Sequence, residues 1–180
     1  MENTVLDTTT DKDPDLGGYS LYSNGDVTIR GAQTRITADD GQGIYAGETL
    51  SIEGGNISIA SSSVALLGWY GVSITGGTVQ ATAEEDSAIL GRDGPVSITG
   101  SADVTATNHT ERVATIRNYS DGGIFLDAPV TANNTQGGKP FLGVKSDKGV
   151  AITFGDGFSA SGTEVYTSEG ESWLIPAGGE

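Results

Sequence analysis

A short phrase returns along this chain every two dozen residues, and it limits the folds available more than any other feature. Val27-Thr28-Ile29, Leu50-Ser51-Ile52, Val72-Ser73-Ile74 and Val96-Ser97-Ile98 each lead into Gly or a polar residue followed by Gly. Two diverged copies follow, at Ile124-Phe125-Leu126 and Val150-Ala151-Ile152. The starts are 23, 22, 24, 28 and 26 residues apart. A repeat of this period marks a solenoid, in which a unit can bury its apolar face only against its neighbours.

Each unit divides into three runs that alternate apolar and polar residues with period two, as a half-buried strand requires. The first run starts at Leu21, Ile44, Leu66, Ile89, Ile116 and Val144. The second is the phrase above. The third starts at Arg35, Ile57, Val79, Val104, Val130 and Phe158. β-Branched residues dominate and no helical period is present. The expected fold is all-β: a right-handed parallel β-helix of about six three-stranded coils. One inward ladder should be Val27, Leu50, Val72, Val96, Ile124 and Val150, flanked by Ile29, Ile52, Ile74, Ile98, Leu126 and Ile152. Gly-Gly and Asn-Gly pairs fall between runs, where sharp corners need positive φ. The expected organisation is a linker or cap over 1–17, the β-helix over 18–164 and a capping segment over 165–180. Within these, Val5-Leu6 and Trp173-Leu174-Ile175 would cover the strand edges at the two ends.

Charge narrows the partners. The formal net charge is −15, from 24 acidic and 9 basic residues. Such a surface repels phosphate backbones and anionic membranes. No run of about 20 apolar residues is present to span a bilayer. There is no Cys, which excludes disulfides and thiolate metal sites. Met1–Asp7 has no basic-then-apolar leader pattern, and Thr8–Asp15 reads as a linker within a longer chain.

Few residues suggest catalysis. The single His, His109, lies in a polar loop, and no Gly-x-Ser-x-Gly elbow is present. Glu84-Glu85-Asp86 reads as a solvated turn. Asp11, Asp13 and Asp15 are spaced like the start of a calcium loop, but Leu16 occupies the position of its Gly and Tyr22 that of its Glu. No other cofactor is indicated.

The outward side of the first run is the most suggestive surface. Stepping one residue on from each inward position gives Tyr22, Tyr45, Leu67, Leu90, Arg117 and Lys145, expected as one exposed stripe. Trp69, Arg92 and Tyr119 follow it in the turns. Exposed aromatic rings can stack on sugars, and Arg or Lys can pair with uronic-acid carboxylates. The same residues would also serve simply to stabilise a parallel sheet. The outward residues of the third run are small and polar instead: Thr37, Ser58, Gln80, Thr105 and Thr131.

Phrases such as Leu50–Ile59 and Val72–Thr82 resemble the β-helical repeats of secreted bacterial surface proteins. These include a carbohydrate-binding family whose fold is similar to that of polysaccharide lyases. The resemblance covers about residues 19–160. It implies an extracellular or wall-attached bacterial protein, adhesive or glycan-binding, with calcium in some members. Three readings stay open: a non-catalytic glycan-binding module using Tyr22, Tyr45, Leu67, Trp69, Arg92, Arg117, Tyr119 and Lys145; a stalk that projects other domains; and a lyase-like enzyme built on Arg117 and Lys145, with Asp121 and Asp147 in neighbouring corners.

Overall fold

Alternating β-branched runs with Gly at each corner produce stacked coils, and among the described residues there is no helix. The computed structural model describes residues 3–7, 18–31, 33–38, 41–119, 122–137, 141–144, 152–157, 164–168 and 171–175. The strands form two sheets, a broad one of ten strands and a narrow one of eight. The chain is a parallel β-helix of five complete turns, with the first and second strands of a sixth.

The narrow sheet stacks the first runs in parallel: Tyr19–Ser23, Gln42–Ala46, Leu66–Gly68, Ile89–Gly91, Ile116–Asn118 and Phe141–Val144. Strand Glu171–Ile175 lies antiparallel against the last of these, and Glu164–Ser168 pairs antiparallel with it in turn. The broad sheet stacks the second and third runs. In the two central coils these runs are continuous strands, Val72–Ala83 and Val96–Asn108, that bend at Gly corners. Strand Asn3–Asp7 adds to this sheet in parallel beside Gln33–Ala38.

The inner faces of both sheets share one core. Leu50, Ile52, Ile74, Ile98, Ile44, Leu66, Ile89 and Ile116 are all fully buried in it. Each such side chain contributes roughly 1.5–3 kcal/mol, so the stack holds although no single coil would. The corners must be close-packed for coils to stack at about 4.8 Å. Gly77 shows why. Its φ is +87°, and a Cβ there would lie 2.5 Å from the Gly55 carbonyl oxygen.

Three registers differ from the sequence expectation. In the sixth coil Ile124 pairs with Ile152, and Leu126 with Phe154, so the ladder skips Val150 by two residues. An even slip preserves which side faces inward, and alternation alone cannot detect it. In the narrow sheet Ile116 pairs with Phe141 and Arg117 with Leu142. Leu142 therefore holds the rung assigned to Lys145, which lies outside the described residues. In the third run Arg35, not Thr37, is the register partner of Ser58. The expectations for Asp11, Asp13, Asp15 and Phe158 also fall outside the described residues.

Candidate functional site

The outward column of the narrow sheet is in register from rung to rung: Tyr22, Tyr45, Leu67, Leu90, Arg117 and Leu142. It is not one exposed stripe. Leu67 is 4% exposed, Leu90 5% and Arg117 6%. Leu67 and Leu90 form a second small core with Val64, and Tyr45 packs against it. Val64 comes from the turn before Leu66, so the corner folds over the outer face.

Arg117 is held within this layer. Its Nη2 donates to Asp86 Oδ1 at 2.6 Å, and its guanidinium carbon lies 4.4 Å from the centre of the Tyr119 ring. The Arg117 Nε is buried without a hydrogen-bond partner among the described residues. Asp86 also accepts from the Ser87 amide at 2.7 Å. Asp86 is therefore more than a solvated turn: it neutralises a buried cation 31 residues away in sequence and one rung away in space.

Toward the N-terminal coils, aromatic rings replace this ion pair. Tyr22 and Tyr45 stack with ring centres 5.1 Å apart and planes 11° apart. Tyr19 leans on both, at 5.1 Å from each. Tyr45 meets Trp69 edge-on at 6.4 Å, and Arg92 lies 4.0 Å over the Trp69 ring. The Tyr22 hydroxyl hydrogen-bonds the Asn24 side chain. Burial raises the Tyr45 phenol above its usual range, and the neighbouring Tyr19 and Tyr22 add to this, while the Arg92 cation acts in the opposite direction.

The turn that follows each narrow strand continues the rung register. The amides of Trp69, Arg92 and Tyr119 donate to Ala46, Gly68 and Gly91 of the preceding coil. Trp69, Arg92 and Tyr119 therefore rise one per coil along one edge. Beside them stand Tyr70, with the Asp93 amide donating to the Trp69 carbonyl at 2.6 Å. Tyr70 and Tyr119 are about half exposed, at 53% and 49%. Gly94 lets the fourth coil pass directly beneath, since a Cβ there would lie 1.8 Å from the Tyr70 carbonyl oxygen.

The structure thus brings Trp69, Arg92 and Tyr119 onto one edge, with Tyr22 and Tyr45 in the adjoining outward column, where Tyr45 reaches Trp69. Leu67 and Arg117 lie beneath it as support. The sequence reasoning missed Tyr19, Tyr70, Asp93 and the role of Asp86. Tyr19 has the parity of the inward residues, so alternation misplaces it. Tyr70 and Asp93 sit in turns, where no period applies, although adjacency to Trp69 and Arg92 was a usable signal. His109 lies at the opposite corner, with Nδ1 2.9 Å from Thr135 Oγ1 and Nε2 3.9 Å from Glu84. Among the described residues no three His, Asp or Glu side chains converge as metal ligands would.

A row of partly exposed aromatic rings with the Arg92 guanidinium among them suits a ligand with alternating apolar and hydroxylated surfaces, as sugars have. A family model described as carbohydrate-binding domain-containing protein matches residues 1–171. The chain belongs to this family. No curated protein and no solved structure matches. Among the described residues no helix is long and apolar enough to cross a membrane.

Proposed function

We propose that this chain is a non-catalytic glycan-binding module of an exported bacterial surface protein, serving adhesion or capture of polysaccharide. One observation carries the reading. Five successive coils each carry a ring or a guanidinium on one side, Tyr22 and Tyr45 in the outward column and Trp69, Arg92 and Tyr119 in the turns beside it. Binding is favoured over lyase chemistry because Arg117, the one of the two base candidates that lies among the described residues, is buried and ion-paired to Asp86. A group so engaged is not free to take a proton from a substrate.

The test is affinity electrophoresis of the purified domain in gels cast with plant, host and bacterial polysaccharides. Retardation by at least one glycan is expected, and it should weaken in Trp69→Ala/Arg92→Ala, which removes the middle of the edge. Running the gels with and without calcium separates direct contact from a calcium-dependent one, for which Asp11, Asp13 and Asp15 would be the ligands.

A stalk is the second reading, and the Tyr22–Tyr45 stack favours it, because those rings spend their faces on each other. A domain that no polysaccharide retards, but that loses stability on Tyr22→Ala/Tyr45→Ala, would be a stalk.

A further inference from the structure

Building on the glycan-binding reading, we propose that Tyr70 and Asp93 are the residues that select the ligand, and that they take a neutral pyranose unit rather than a uronic acid. A pyranose binds an aromatic ring through its face of C–H bonds, so the ring must offer a face to solvent. Most rings of the edge have given one away. Tyr22 lies against Tyr45, Trp69 carries Arg92, and Tyr119 carries Arg117. Among the described residues Tyr70 is the most exposed of the large apolar side chains, at 53%, and it makes no ring or cation contact.

The surroundings of Tyr70 then set the sugar class. The hydrogen bond from the Asp93 amide to the Trp69 carbonyl puts Asp93 one rung on from Tyr70, about 4.8 Å along the axis. On the preceding rung the Tyr70 amide donates to the Glu48 carbonyl at 3.0 Å. Glu48 and Asp93 are both exposed, and neither side chain has an ion-pair partner among the described residues. Two exposed acidic residues thus occupy the rungs before and after Tyr70. They accept hydrogen bonds from sugar hydroxyls and repel a third carboxylate. The cation that precedes Asp93 in the chain, Arg92, lies over the Trp69 ring. The backbone beneath Tyr70 is closely packed: Gly94 lies under the Tyr70 carbonyl and Gly71 turns the chain at φ +128°, and a fixed backbone lowers the ordering cost of binding.

The experiment uses the whole chain in native gels containing galactomannan or mixed-linkage β-glucan as neutral probes and polygalacturonate as the acidic one. A neutral polymer should retard the protein and polygalacturonate should not. Tyr70→Ala should weaken the neutral interaction by about tenfold or more, Tyr70→Phe should retain it, and Asp93→Asn should weaken it. All three should melt with the parent protein, since both side chains are exposed. Retardation by a neutral polymer that Tyr70→Ala leaves intact would overturn the assignment while glycan binding stands. Retardation by polygalacturonate alone would overturn the charge argument in the same way. Retardation by no polymer would overturn the glycan-binding reading itself.

Discussion

The outer faces of the two sheets start from the same alternation and end differently. On the broad sheet most outward residues are short and polar: Ser51, Ser73 and Ser97 in one column, which continues to an exposed Phe125, and Ser58, Gln80, Thr105 and Thr131 in another, which also includes Arg35. They are half-buried or exposed throughout. On the narrow sheet the three central strands, Leu66–Gly68, Ile89–Gly91 and Ile116–Asn118, are buried on both faces. There Leu67 and Leu90 pack with Val64, and Arg117 with Asp86. The difference lies in the corners. Turns leading into the narrow strands fold back and cover it, while the broad sheet receives no such cover. An outward Leu in a solenoid is therefore as much a sign of a folded-over corner as of a binding surface.

Three measurements would break or sharpen this contrast. The largest effect is expected from Asp86→Ala, which strands the Arg117 charge in a site where it is 7% exposed. Removing one partner of a fully buried pair costs about 3–5 kcal/mol. Asp86 is 33% exposed, so about 2–3 kcal/mol is expected in urea unfolding. A loss below about 0.5 kcal/mol would mean that the layer is open to water.

Next comes Leu90→Ala. If the outer layer of the narrow sheet is a true second core, the loss should be about 2 kcal/mol, at the low end for a buried Leu because the cluster is small. Thr105→Ala on the broad sheet should stay within about 0.5 kcal/mol. Equal losses at the two sites would erase the distinction between the faces.

The smallest effect concerns Tyr45. Its folded pKa is raised, so its contribution is complete below the ordinary phenol range near pH 10. That contribution is lost as pH rises from there through the folded value. Absorbance titration should show one phenol ionising late. Tyr45→Phe should reduce the fall in melting temperature at alkaline pH.

The core was readable in advance because its signal is periodic. Val27, Leu50, Val72 and Val96, with Ile29, Ile52, Ile74 and Ile98, follow from alternation and the repeat alone. The broad-sheet strand of the sixth coil was misregistered because a two-residue slip leaves its alternation unchanged, and the narrow strand because Phe141, Leu142 and Val144 offer apolar residues of both parities. The triplet Phe141-Leu142-Gly143, which mirrors Leu66-Leu67-Gly68 and Ile89-Leu90-Gly91, could have resolved the narrow strand. The site was only half legible. Tyr22 and Tyr45 obey parity, and Trp69 and Arg92 follow them closely. The burial of Leu67, Leu90 and Arg117 depends on Val64 and Asp86, which sit in aperiodic turns. Tyr70 and Asp93 come together only through a backbone hydrogen bond between coils.

The glycine threaded beneath the Tyr70 carbonyl has a consequence for how such a protein can change over generations. Neighbouring coils touch so closely there that a single inserted residue has nowhere to go, yet an entire coil can be added or removed because each unit meets only the ones beside it. Reach along the axis is thus quantised, in steps of about 4.8 Å. The solenoid behaves as a ruler whose marks can be multiplied but not moved, and the side chains displayed at each mark are free to vary while the spacing between them is not.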